Sequence, residues 1–382
     1  MKNNPLVARR EFLRTAAATS GAMLLGPAFL KIAADVNDPR VAQIMSQTIG
    51  VDMHNHVYPK GTEPVREGGP QQGQEKQQAT ELFLAEELKQ SGLTAVCASY
   101  VLDFASNGKP GDAREKLRSW FAAIDAQLAK GHLRRALSLK DLQTAHEDKK
   151  PTIVQTVEGS MFIEGHLERV EEVYRRGLRH LQLLHERDDA VSPLGDVNTV
   201  AAHLGGLTPF GAEVIKECNR LGILVDLAHA SHETVLGALK VTTHPVVISH
   251  TNLDSWASKN SRMAEMMKPR LINREHAKVV ADAGGVIGVW THLADSLDDF
   301  VSSIKAMVEA VGMDHVGIGT DTDLLSSRPG QGTNVAYPNL SGGIFPAIIG
   351  EMLRQGFTLD EIDKVGGKNY CRVFDKATAG HA

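Results

Sequence analysis

The chain is 382 residues long, 42% hydrophobic and carries a formal net charge of −5, enough apolar mass for a large core and too little positive charge for a nucleic-acid or membrane-surface role. Its three cysteines, Cys97, Cys218 and Cys371, are scattered and form no Cys-x-x-Cys pair. That distribution argues against a disulfide framework or a thiolate zinc site and for buried apolar thiols.

In chain order, the first feature is a leader. Arg9-Arg10-Glu11-Phe12-Leu13-Arg14 precedes an uncharged stretch from Thr15 to Leu30 rich in Ala, Gly and Leu. A charged segment followed by a short, weakly apolar one has the form of an export signal, and the paired arginines followed by Phe-Leu match the twin-arginine type. The expected organisation is therefore a signal over residues 1–34 and one domain over 35–382, exported to the periplasm through the twin-arginine machinery. Ala33-Ala34 is a mediocre cleavage site, because Ile32 or Lys31 fills the position where a small residue is wanted, and retention as an uncleaved membrane anchor is the alternative.

From Asp35 onward, strand-like apolar runs alternate with helix-like stretches. The first run enters Gly50-Val51-Asp52-Met53-His54-Asn55-His56 and ends at His54. In an extended chain residues two apart point to the same side, so the two imidazoles are aimed together. A Gly/Gln-rich loop covers 59–78. A helix is predicted over Thr80–Ser91, a strand over Leu93–Val101 and an amphipathic helix over Ala113–Leu128.

The third run, Pro151–Val157, ends at Glu158-Gly159, and the fourth, Leu178–Leu184, ends at His185. Ile223–Ala228 ends at His229, and Pro245–Ser249 ends at His250. Gly285–Trp290 is the seventh run, and His315–Thr320 ends at Asp321. The intervening stretches 167–176, 211–221, 232–239, 274–283 and 300–311 are predicted helices.

Eight strands apolar throughout, alternating with helices, predict an α/β fold of the (β/α)8 TIM-barrel type. Functional groups of such barrels lie at the C-terminal strand ends. Here those ends carry His54, Glu158, His185, His229, His250 and Asp321, so residues scattered in sequence converge on one mouth. Neutral imidazoles and carboxylates suit Zn²⁺ and, less exclusively, Mn²⁺, Fe²⁺ or Co²⁺. Four histidines and one bridging glutamate suffice for two divalent ions, which together activate a water and polarise a carbonyl. Asp321 is placed to pass that water's proton to a leaving amine. The remaining histidines, among them His180, His232, His276 and His315, are read as structural or solvated, and His292 lies just beyond the seventh strand.

Asp52-Met53-His54-Asn55-His56, Glu158-Gly159, Val225–His229, Pro245–His250 and His315–Asp323, in this order and spacing, resemble the membrane (renal-type) dipeptidases, peptidase family M19. These are binuclear-zinc barrels within the amidohydrolase superfamily. The resemblance runs from about residue 48 to 375. It implies that His54 and His56 hold one metal and His229 and His250 the other, with Glu158 bridging. It also implies that His185 contacts the scissile carbonyl, that Arg270 grips the carboxylate of a dipeptide substrate, and that Asp321 is the acid/base.

One departure stands out. The family has aspartate where this chain has His56, which raises the charge of a metal pair by one and loosens the link to a dipeptide substrate. Another small amide, N-acyl compound or lactone is the alternative substrate, and a metal-binding relative without turnover is the alternative class. A homodimer is compatible with the sequence.

Overall fold

The computed structural model describes residues 36–381 except 60–61, 63–82, 104–108, 131–132, 187–191, 257–260, 339 and 341. The leader, most of the 59–78 loop and the start of the helix expected at Thr80 lie outside the described residues.

Eight parallel strands form a closed ring: β1 Val51–His56, β2 Ala95–Ser99, β3 Thr152–Glu158, β4 Leu178–Gln182, β5 Leu224–Asp226, β6 Val247–Thr251, β7 Val286–Val289 and β8 Val316–Ile318. Each pairs with the next, and β8 pairs back to β1 at Asp52↔Ile318. This is the (β/α)8 barrel expected from the sequence. The strands are buried almost without interruption because helices cover the outside and side chains fill the inside.

The helices behind the barrel start where short polar side chains cap them. Thr208, Ser231, Asn273 and Ser296 each accept the backbone N–H three residues on, and the helices they open run Pro209–Leu221, His232–Val241, Arg274–Asp282 and Leu297–Val311. The Trp120 indole, on the helix Asp112–Ala129, donates to the Val57 carbonyl at 2.7 Å and pins that helix to the end of β1.

The N-terminal end of the barrel is closed by the last helix, Asn369–Thr378. Tyr370, Val373 and Phe374 pack onto inward-facing Val51, Met53, Cys97, Val154, Leu224, Val247 and Val286. Each fully buried large side chain of this plug contributes about 1.5–3 kcal/mol. The expected runs did not include this plug, nor the helix Leu139–Glu147, which opens with a capping box from Ser138 and Asp141.

Several strand ends differ from the sequence reading, and the differences carry the site. β1 continues through His56 instead of ending at His54, and β6 extends through His250 to Thr251. Between Asp52↔Val96 and Asn55↔Ala98, β1 advances three residues while β2 advances two. Between Ile248↔Ile287 and Thr251↔Val289, β6 does the same against β7. Each is a β-bulge, one extra residue that re-aims the side chains beyond it. In β1 it lets Met53 face the plug while His54 and His56 face the mouth. Gly288 and Gly319 make room for the second bulge, since a Cβ on either would lie 1.9 or 1.8 Å from the Ser249 carbonyl oxygen.

Candidate metal centre

Glu158, the last residue of β3, is 1% exposed and stands at the centre of the mouth. Its Oε1 lies 3.3 Å from His185 Nε2, 3.5 Å from His229 Nε2 and 3.4 Å from His250 Nε2. Its Oε2 lies 3.5 Å from His54 Nε2 and 4.0 Å from His56 Nδ1. One carboxylate oxygen thus faces the pair from β1, and the other faces His185 and the pair from β5 and β6. Asp321, just beyond β8, closes the ring: Oδ1 is 2.9 Å from His56 Nε2 and 3.7 Å from His54 Nε2. Its Oδ2 is 2.8 Å from His292 Nε2.

The backbone is unusual where these residues sit. His229 and Asp321 have φ of 65° and 56°, in the left-handed region that non-glycine residues seldom adopt. Such strain costs of order 1–3 kcal/mol and is typical of residues whose direction matters. Buried carboxylates hold the strand ends in shape. Asp52 accepts from the backbone N–H of His54 at 3.3 Å and Thr320 at 2.8 Å, and from the Thr320 hydroxyl at 2.6 Å. Asp226 accepts from the N–H groups of Ala228 and Ser249, both at 3.0 Å, and pairs with His180 at 3.2 Å.

The far ring nitrogens are also steered. Ser249 Oγ lies 2.9 Å from His250 Nδ1 and 3.4 Å from His54 Nδ1, and Tyr58 OH lies 3.0 Å from His56 Nδ1. Asp103 Oδ1 lies 2.6 Å from His185 Nδ1, while Asp103 Oδ2 accepts the Glu186 N–H at 3.1 Å. These outer partners orient the imidazoles of His54, His185 and His250 so that Nε2 points at Glu158, while His229 presents Nε2 to the same carboxylate with its Nδ1 buried and without a partner.

The donor set fits divalent cations. His54 Nε2 and Glu158 Oε2 are buried, face each other and have no hydrogen-bond partner. Such orphaned groups cost about 1–3 kcal/mol each unless something charged stands between them. His229 Nε2 and His250 Nε2 approach to 2.9 Å, where two lone pairs would repel without a proton or cation to share. Among the described residues, three overlapping groups have ligand atoms within 4.8 Å of one another: His54, His56 and Glu158; His54, His250 and Asp321; Glu158, His185 and His229.

Electrostatics agree. Burial keeps His54 at about 4 and His229 well below its usual value, so both are neutral donors. Burial opposes ionisation of Glu158 and Asp321, yet the surrounding imidazoles, His185 and His54 for the one and His250 and His292 for the other, hold both far below the carboxylate range. Burial also opposes charge on His56 and His250, but the Asp321 and Glu158 carboxylates draw both upward, which marks these positions as ones where positive charge is favoured.

All the strand-end residues named from the sequence come together here, His54, His56, Glu158, His185, His229, His250 and Asp321. Arg270 lies at the rim, in a 3₁₀ turn over Lys268–Arg270 after the short helix Ser261–Met267. Its Nε donates to Glu186 Oε1 at 2.6 Å, its Nη2 donates to the same oxygen, and its Nη1 donates to the Met266 carbonyl at 2.7 Å. Sequence reasoning missed Asp103 and Glu186. Asp103 follows the second strand, the one early strand end to which no functional group had been assigned, and that gap was the available signal.

A (β/α)8 barrel whose strand ends gather five imidazoles around one buried carboxylate has the donor set of a metal centre. The family profile of the membrane dipeptidases (peptidase family M19) matches residues 39–381, and the chain belongs to that family, whose members use divalent metal. Over 237 residues it is 29% identical to an uncharacterized dipeptidase of Schizosaccharomyces pombe. That match takes in 59% of this chain and 53% of the relative, so the chain spans about half the length of the curated relative it matches. The fold superimposes on an amidohydrolase from Pseudomonas aeruginosa with a TM-score of 0.68 at 22% identity, covering 88% of this chain and 98% of that one. It also superimposes on a metallo peptidase from Rhodobacter sphaeroides liganded with a phosphinate mimic of the dipeptide L-Ala-D-Ala. There the TM-score is 0.65 at 17% identity, covering 86% of this chain and 99% of that one.

Proposed function

We propose that the chain hydrolyses the amide bond of dipeptide-sized substrates with two divalent ions, Zn²⁺ foremost, with Mn²⁺, Fe²⁺ and Co²⁺ also suited to the donors. The observation that carries this reading is the division of Glu158, one oxygen toward His54 and His56 and the other toward His229 and His250. In this reading those five residues hold the ions. When bound, the ions supply Lewis acidity toward a carbonyl oxygen and a water.

The chain's own groups do the rest. His185, backed by Asp103, presents Nε2 to the mouth as a donor for the carbonyl oxygen as it gains charge. Asp321, poised between His56 and His292, takes a proton from the attacking water and returns it to the leaving amine. The leader suits export of the folded, metal-loaded protein to the periplasm by the twin-arginine machinery, and a homodimer is compatible with this role.

The test is metal analysis combined with turnover of Ala-Ala, in L,L and L,D forms, and of its C-terminal amide. About two ions per chain, hydrolysis of at least one of these amides, and loss of activity on chelation and in Asp321→Asn are expected. Stoichiometric metal with no hydrolysis of any of them would overturn the enzymatic reading and leave a metal-binding relative.

A further inference from the structure

The structure assigns a positioning role to His180: holding Asp226 from below, it sets the aim of His229 and His250 and with it the affinity of the ion those two take. The inference rests on the two-ion reading above. His229 Nε2 and His250 Nε2 stand 2.9 Å apart and both face Glu158 Oε1. Asp226, on β5, is fully buried, and its Oδ1 accepts the backbone N–H of Ala228 and of Ser249, each at 3.0 Å. Each donor immediately precedes one of the two histidines, so a single carboxylate oxygen ties down both. The segments it ties are irregular ones, the left-handed backbone of His229 and the β6 bulge that contains Ser249.

His180 fixes Asp226 in turn, donating through Nε2 to Oδ2 at 3.2 Å. The pairing Gln155↔Leu178 is followed by Thr156↔His180, so β4 spends one extra residue against β3 at this point. Beyond that slip His180 and Gln182 share the interior side, and Gln182 Nε2 reaches Glu158 Oε1 at 3.4 Å. The other nitrogen of His180 is engaged from the plug: the Tyr370 hydroxyl lies 3.4 Å from Nδ1, and the Cys97 thiol donates to that hydroxyl at 3.1 Å.

Cys97, Tyr370, His180 and Asp226 thus form one hydrogen-bonded line from the floor of the barrel to its mouth. Every member is at most 1% exposed, so solvent supplies no substitute for a lost partner. Across the mouth, Asp52 holds the His54 backbone with partners of its own, the Thr320 hydroxyl and the Asn55 amide. The line through His180 therefore bears on one half of the centre and leaves the other alone.

The experiment dialyses holoenzyme forms of the wild type, His180→Leu and His180→Gln against Zn²⁺ buffered at graded free concentrations and counts the ions retained per chain. Glutamine keeps an N–H donor at about the reach of Nε2, and leucine has none. The wild type is expected to hold two ions. His180→Leu should keep one at wild-type affinity and bind the other roughly tenfold to hundredfold more weakly, and His180→Gln should recover most of that loss. If His180→Leu does not fold, Tyr370→Phe, which removes only a hydroxyl, is read in the same way, with one ion weakened about threefold or more. Equal weakening of both ions, no weakening of either, or a glutamine variant no better than leucine overturns the inference and leaves the two-ion reading standing. A wild type that never holds two ions overturns both.

Discussion

The Asp103 carboxylate lies 2.6 Å from His185 Nδ1 and receives the Glu186 N–H on its other oxygen, so one fully buried side chain fixes two consecutive residues of the mouth. Burial opposes a charge on His185, and the Glu158 and Asp103 carboxylates outweigh it, lifting the imidazole to about 9. Asp103→Asn keeps the shape of the contact and removes the charge. It is expected to lower kcat by roughly tenfold to hundredfold, the range for partners that orient reactive groups. Metal content should be unchanged, because His185 lies outside the proposed ligand set. Steady-state kinetics with metal analysis on the same samples check this.

Metal removal should register in stability as well as turnover. A cation that relieves the orphaned Glu158 and His54 atoms binds the folded chain in preference to the unfolded one. At 100 times its Kd it contributes about 2.7 kcal/mol. At roughly 1.3 °C per kcal/mol for a chain of this size, chelation should lower Tm by at least about 3 °C. Adding the metal back should restore it. Glu158→Gln should abolish the difference between chelated and loaded protein in thermal scans.

Gly288→Ala tests the bulge that carries His250. The new methyl would sit 1.9 Å from the Ser249 carbonyl oxygen, which is backbone and cannot swing aside. Overpacking of this kind costs about 1–3 kcal/mol. The strain falls on the residue before His250, so bound metal should drop along with the denaturation midpoint. A variant of wild-type stability with full metal content would refute this account of the bulge.

A pH effect on stability is expected away from the metal centre. Burial pushes His276 down to about 4, with repulsion from His232 adding to it, and the two rings stand 5.2 Å apart. The folded pKa is below the unfolded one, so the unfolded chain takes up the proton first. The stabilisation is fully present above about 6.5 and is lost as pH falls through about 4. The loss is at most about 3 kcal/mol. Tm measured from pH 7.5 to 4.5 should fall less steeply in His276→Leu than in the wild type.

The barrel was legible because each strand is a continuous apolar run that stops at a polar residue, and the ring of strand-end residues followed from that pattern. The means of aiming them was not. An extra residue in β1 and β6, and left-handed backbone at His229 and Asp321, leave no mark on hydrophobic periodicity, since nothing local distinguishes His54 in a bulge from a histidine in a regular strand. The plug escaped for a different reason. Tyr370 and Phe374 look like the apolar face of any surface helix, and only the closed barrel shows that they cap its floor. The Glu186–Arg270 pair joins residues 84 positions apart, a separation at which neither residue announces the other.

The bulges also divide the protein's labour. His54 and His250 are aimed from within the sheet, while Glu186, Arg270 and His292 reach the same mouth from the segments that join strands to helices. The strand-end donors and the rim groups are therefore carried by different parts of the chain. A rim segment exchanged for another would change what lines the mouth and leave His54 and His250 aimed as before.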